Sequence, residues 1–310
     1  MVNLTIPNVQ ELLDKHFKKL YNEDYNGNAF SIKKRLEKTT EKYKKTYTGK
    51  LFFYLKNNIK KVLTGTPEEL EEIKDYIENR HFLCMSPSVI KDLNKIFNYT
   101  GFSQRHGINK YSVYNLEKNL NINTCPYCNR NYIFPAKYHR TSELDHFFPQ
   151  SKYPYLALSF FNLIPSCKVC NKLKLATEIL INPYDKRYHN NVNFEFRFKP
   201  LNTSYKFRKN AFKLQILYKN FEVEYKKNFE VFRIFELYIR HKDIILELIQ
   251  KREIYSDEYI EDLVTAYPQL FHSRREILKL ITCIDIDEAE TLKRPISKLT
   301  QDIAKQLGFT

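Results

Sequence analysis

Four cysteines fall into two Cys-x-x-Cys units, Cys125/Cys128 in "TCPYCNR" and Cys167/Cys170 in "SCKVCNKLK". That spacing lets two thiolates from each unit share one tetrahedral Zn²⁺, and four thiolates close the shell, so the ion is expected to be structural. The other cysteines, Cys84 and Cys283, sit in apolar helical contexts and read as ordinary core residues. Between the two units lie 38 residues. A compact zinc ribbon uses about 15–20, so something is inserted. The insert contains "ELDHFFP", an Asp145-His146 pair after a short apolar, strand-like approach. "LSFFNLIPSC" then brings Asn162 just ahead of the second unit, and Asn171 follows its last cysteine. A neutral histidine with an ordinary pKa of about 6.5 can take a proton from water at cellular pH.

In the order Cys-x-x-Cys, Asp-His, Asn-Leu, Cys-x-x-Cys-Asn-x-x-Lys, residues 125–174 resemble the HNH endonucleases, the ββα-metal nucleases, in their zinc-stapled form. The resemblance implies a strand carrying Asp145-His146, a loop and second strand carrying Asn162, and a helix carrying the last metal ligand. It implies that His146 is the general base acting on the attacking water. Asp145 is then the first carboxylate ligand of a catalytic cation, and Asn162 holds the loop and orients the base. Asn171 falls where the final ligand belongs, making this an HNN variant whose amide oxygen suits a hard cation, Mg²⁺ or Mn²⁺. The implied reaction hydrolyses phosphodiester bonds, leaving 5′-phosphate and 3′-hydroxyl ends. The stretch "ELDHFFPQSKYP…LSFFNLIPSCKVCN" also resembles bacterial HNH proteins encoded beside an ATPase in phage-defence systems of the Septu and retron-associated kind. That implies an antiviral role with an ATPase partner docked on the flanks.

Arg130, Lys168, Lys172 and Lys174 are expected to ring the site and meet phosphates. The aromatic run "SKYPYLALSFF" could stack bases through Tyr153 and Tyr155, although packing of the loop accounts for it more simply. His139 reads as a loop residue. Glu143, two residues before Asp145, shares its strand face and either tunes the metal or is exposed.

These residues need a scaffold. "NVQELLDKHFKKL" puts Val9, Leu12, Leu13, Phe17 and Leu20 on one helical stripe, and a second helical stretch covers roughly 30–63. In "TPEELEEI", Thr66 is an N-cap, Pro67 opens the first turn and Glu69 closes a capping box. Ser86-Pro87 repeats the cap-plus-proline device. Later, Val192, Phe194, Phe196 and Phe198 alternate with polar neighbours, as do Phe212, Leu214 and Ile216, which reads as a hairpin. Residues 228–280 return to helical periodicity, and "RPISKLTQDIAKQLGF" closes with an amphipathic helix. The expected fold is mainly α, with a small central ββα-metal module and a short β-hairpin after it. Its regions are an N-terminal helical part over 1–110, the zinc-containing nuclease module over 111–185, and a hairpin-then-helices part over 186–310.

The 51 Lys and Arg against 36 Asp and Glu leave a formal charge of +15, which favours a polyanionic partner such as DNA or RNA. No apolar run reaches the length of about 18 residues that a membrane span needs. The N-terminus lacks the basic-then-apolar order of a signal peptide, so a cytoplasmic setting with reduced cysteines is expected. The alternative function is a non-catalytic zinc module that binds nucleic acid or a protein. Such a binder has no reason to hold Asp-His and Asn in register between the two cysteine pairs.

Overall fold

The computed structural model describes residues 1–6, 8–21, 31–80, 86–104, 111–135, 141–188 and 193–309. Cys84, His139 and Val192 lie outside the described residues. The chain is mainly helical, with two small antiparallel strand pairs. Its contacts group it into two units, one of Thr5–Asn121 with Phe134–Asp185, the other of Met1–Leu4, Ile122–Ile133 and Lys186–Thr310.

In the first unit, helices form where caps and periodicity coincide. Thr66 Oγ1 accepts from Glu69 N at 3.3 Å and Glu69 Oε2 accepts from Thr66 N at 2.9 Å, so the expected capping box starts the helix Pro67–Asn79. Ser86 precedes the helix Pro87–Ile96 but makes no cap bond; its hydroxyl pairs with that of Ser88 instead. The helical stretch expected over 30–63 is three helices, Ile32–Tyr43, Gly49–Asn57 and Ile59–Thr64. The first break follows from local competition for backbone groups, since Thr46 Oγ1 donates to Tyr43 O and accepts from Gly49 N. A Cβ at position 49 would collide with the Tyr43 carbonyl oxygen, so this turn needs glycine. At the second break the Asn58 amide donates to Tyr54 O. Leu51, Phe52, Leu55, Val62, Leu63 and Leu70 are all fully buried, each contributing about 1.5–3 kcal/mol of transfer free energy.

The helix Val9–Tyr21 turns the expected stripe inward, with Val9, Leu12, Leu13 and Phe17 half-buried, and adds His16 to it. His16 and Leu20 are its buried residues. The His16 ring is held at both nitrogens, with Tyr111 Oη at 2.8 Å from Nδ1 and Leu158 O at 2.8 Å from Nε2. A carbonyl only accepts, so Nε2 carries the proton and Nδ1 accepts from the tyrosine. Burial pulls its pKa down to about 4.

The same unit contains β1 (Ser142–His146) and β2 (Leu163–Cys167), paired antiparallel from Ser142 opposite Cys167 to His146 opposite Leu163. Cys167 caps the helix Lys168–Lys174 that follows, its Sγ accepting from Cys170 N.

In the second unit, β3 (Phe194–Pro200) and β4 (Phe212–Tyr218) form the expected hairpin. Phe194, Phe196, Phe198, Phe212 and Leu214 are buried on one face. The helix Ser297–Gln306 covers the hairpin, and Asp302 and Gln306 accept from the backbone N–H groups of Phe196 and Phe198. Cys283 is not a core residue: it is exposed, because it stands at φ 61° just past the helix Arg274–Thr282, where the left-handed turn carries it away from the helix's buried side. No helix among the described residues is long and apolar enough to cross a membrane.

Candidate active site

The Sγ atoms of Cys125, Cys128, Cys167 and Cys170 lie within 4.8 Å of one another, and all four residues are buried. Four buried thiols without a disulfide are a donor set that fits Zn²⁺, and the group could hold one ion. Each cysteine pair is shaped by its own backbone. Asn129 N bonds to Cys125 O, Arg130 N reaches Cys128 Sγ, and Asn129 adopts φ 49°. The two asparagines that follow the pairs differ in kind. Asn129 is buried, donating to Thr124 Oγ1 and Thr291 O and accepting from Lys298 N, so it is an internal tie. Asn171 is half-buried and faces a cleft.

That cleft is lined by Asp145, His146, Pro149, Gln150, Asn171 and Leu175, among others. Asp145, His146 and Asn171, expected together from the sequence, therefore line one concavity. β1 ends at His146, so the imidazole stands where the pair opens into the loop, and Asn171 is the fourth residue after Cys167, on the following helix.

The His146 ring is fixed by its surroundings. Its Nε2 lies 3.0 Å from Ala157 O, which makes Nε2 the protonated nitrogen and leaves the Nδ1 lone pair for another partner. Tyr99 packs edge-on against the ring at 4.4 Å between centroids, and its hydroxyl donates to Leu144 O. Burial, with Lys174 adding to it and the Ala157 bond opposing, lowers the His146 pKa to about 4. The imidazole is neutral at pH 7.

Asn162 is fully buried and closes the loop between the strands. Its Oδ1 accepts from Phe148 N at 2.7 Å, and its Nδ2 donates to Leu156 O at 2.9 Å and Phe148 O at 3.3 Å. Phe147 N bonds to Asn162 O. The residue thus spans both ends of the segment that carries Ala157, the acceptor for His146.

Asp145 is 4% exposed and lies against Lys174, whose Nζ is 3.1 Å from Oδ2 and 3.3 Å from Oδ1. Lys174 also donates to His146 O at 2.6 Å. Burial pulls its pKa below the ordinary lysine value, with the Asp145 carboxylate opposing. Lys174, expected at the surface to meet phosphate, is instead 0% exposed and internal to the site. Glu143 neither stands alone nor faces only solvent, because its Oε2 accepts from Asn171 Nδ2 at 2.5 Å. This bond directs the amide and leaves Asn171 Oδ1 without a donor among the described residues. A carboxylate and an amide oxygen on one cleft fit a hard divalent cation.

Lys168 and Lys172 are exposed on the helix Lys168–Lys174. Arg130 is partly buried and donates through Nε to His241 Nε2 at 3.1 Å. Tyr153 and Tyr155 are 4% and 0% exposed, so they pack the loop and present no ring for stacking. Sequence reasoning missed Tyr99, the Ala157 carbonyl and the internal role of Lys174. Only the last had a signal: Lys174 is four residues after Cys170, hence on the same helix face as that buried cysteine.

No family model and no solved structure matches the chain. The Septu protein PtuB of Bacillus thuringiensis is 40% identical over 68 residues, which are 21% of this chain and 25% of that protein. The chain thus spans about a quarter of the length of the curated relative it matches.

Proposed function

We propose that the chain is a metal-dependent endonuclease of the HNH type that hydrolyses phosphodiester bonds in DNA. The observation that carries this reading is the cleft shared by His146, Asp145 and Asn171, with His146 Nε2 bonded to Ala157 O so that Nδ1 remains to accept a proton. A neutral imidazole with one nitrogen tied back has the form a general base needs. Asp145 and Asn171 would hold Mg²⁺ or Mn²⁺, which when bound supplies charge relief for the phosphate and the departing 3′ oxygen. In this reading, Asn162 keeps the Ala157 carbonyl where it fixes the ring. Glu143 turns the Asn171 amide, and exposed Lys168 and Lys172 at the rim attract the polyanion. The four cysteines hold a structural zinc that brings no open coordination position to the chemistry.

The similarity to a Septu protein supports a role in anti-phage defence; the reading adds an ATPase partner that restrains the nuclease. The test of the chemistry is His146→Ala assayed on plasmid and single-stranded DNA with and without Mg²⁺. The variant is expected to lose cleavage while retaining zinc and its circular dichroism spectrum. Cleavage at the wild-type rate would sink the assignment, and absence of cleavage by both proteins would favour a non-catalytic zinc module. Pull-down of the tagged chain from its native host tests the partner reading: recovery of an ATPase is expected, and a chain recovered alone would argue against it.

A further inference from the structure

The hairpin of β3 and β4 lies in the second unit and takes no part in the cleft. Between Glu195 and Glu222 the chain runs 26 residues with seven Lys or Arg and no Asp or Glu. The register directs this charge. Residues 195, 197 and 199 on β3 face the same way as 213, 215, 217 and 219 on and after β4, with Lys199 directly opposite Lys213. Like charges in that relation destabilise a strand pair. Both lysines are exposed, and neither has an ion-pair partner among the described residues. The one carboxylate of this face, Glu195, is 6% exposed and already shared by Arg197 and Lys219.

The opposite face is Phe194, Phe196, Phe198, Phe212 and Leu214, packed beneath, and the β3 edge is closed by Asp302 and Gln306. The ribbon is therefore stiff and presents one charged side. Its connection adds Arg208 and Lys209, exposed and without ion pairs among the described residues, beside Phe207 at 74% exposure. Among the described residues no carboxylate pairs with these cations, so a bound anion would relieve the repulsion between Lys199 and Lys213.

We propose that this β-ribbon is a DNA-binding element, its Lys199, Lys213, Arg208 and Lys209 contacting the phosphates of a duplex. A two-stranded ribbon is narrow enough to enter a major groove about 12 Å wide. Lys199 and Lys213 stand opposite each other next to the connection that carries Arg208 and Lys209, so the four cations cluster at one end of the ribbon, a concentration of charge suited to neighbouring phosphates. The inference rests on the DNA substrate proposed above but not on cleavage, so the two can fail separately.

The test uses the full chain carrying His146→Ala and a fluorescein-labelled duplex of about 30 base pairs, roughly three helical turns. Anisotropy titrations run between about 50 and 200 mM KCl. In that background, Lys199→Gln with Lys213→Gln should weaken binding by about tenfold at low salt and reduce the slope of log K against log salt by up to about two. Arg208→Gln with Lys209→Gln should act similarly, and circular dichroism should be unchanged for both. Affinity and slope unaltered in both double variants would overturn the proposal. So would a ribbon-dependent loss of binding seen only with phosphatidylserine vesicles or duplex RNA and not with DNA. If the ribbon variants bind normally while His146→Ala alone abolishes cleavage, the ribbon inference fails and the nuclease reading stands. If they lose DNA binding while His146→Ala cuts like wild type, the reverse holds.

Discussion

Replacing Lys174 by methionine tests whether the buried ion pair with Asp145 organises the cleft. Two unit charges 3.1 Å apart attract by about 5 kcal/mol at an effective dielectric constant near 20. Desolvating each ion costs several kcal/mol, so the pair as a whole contributes little net stability. Removing one member is different, because the carboxylate at 4% exposure keeps its desolvation cost and loses its buried cation. The His146 carbonyl loses its 2.6 Å donor as well. Methionine fills most of the lysine volume, so the expected loss, about 3 kcal/mol, is electrostatic and not a cavity effect. Asp145→Asn in the same chain removes the charge left behind. The double variant should therefore lie within about 1–2 kcal/mol of wild type, well short of the sum of the two single losses.

The assay is guanidinium unfolding followed by circular dichroism and tyrosine fluorescence, since the chain has 23 Tyr and no Trp. Hydrogen exchange over residues 142–175 would localise the effect to the strand pair and its helix. A Lys174→Met protein within about 1 kcal/mol of wild type would refute the reasoning, as would a double variant whose loss equals the sum of the two single losses.

Two further outcomes follow from the geometry. Purified protein should contain about one tightly held zinc per chain, and Cys170→Ser should release it and disorder the helix Lys168–Lys174; metal analysis that finds none would remove the structural-zinc reading. His16 is neutral in the fold, with its pKa lowered to about 4 from an unfolded value near 6.5. The unfolded chain therefore binds the extra proton first, so stability is intact above about pH 6.5 and falls by up to roughly 3 kcal/mol as pH drops to about 4. His16→Gln should flatten that part of the stability profile, and an unchanged slope would show that other groups cause it.

The elements legible in the sequence were those specified by local chemistry. Thr66, Pro67 and Glu69 define a helix start through bonds within four residues, and the alternating phenylalanines of β3 and β4 require only a period of two. The breaks at 44–48 and 58 were not legible, because the helical pattern continues through them. There, Thr46 and Asn58 side chains compete for backbone partners, and Gly49 is needed only because Tyr43 O stands beside it. His16 escaped for a related reason. Its partners Tyr111 and Leu158 are 95 and 142 residues away, so nothing near it in sequence marks it as a buried, doubly bonded ring.

The cleft shows the same division. The types and order of Asp145, His146, Asn162 and Asn171 were readable, because each is the residue whose side chain would do the chemistry. What holds them was not. His146 is oriented by a backbone carbonyl at Ala157, and any residue type supplies a carbonyl, so no sequence signal exists for it. Lys174 is the opposite case. A lysine reads as surface by default, since burying it is costly unless paired. Its spacing from Cys170 nevertheless fixes its direction, because i and i+4 share a helix face and the cysteine side is internal. Once that face is buried, the ammonium must find an acid, and β1 offers Asp145 across the strand pair. The same helix puts Lys168 and Lys172 on its exposed side. One short helix thus separates a lysine buried against Asp145 from lysines exposed to solvent, and the separation follows from helical periodicity alone.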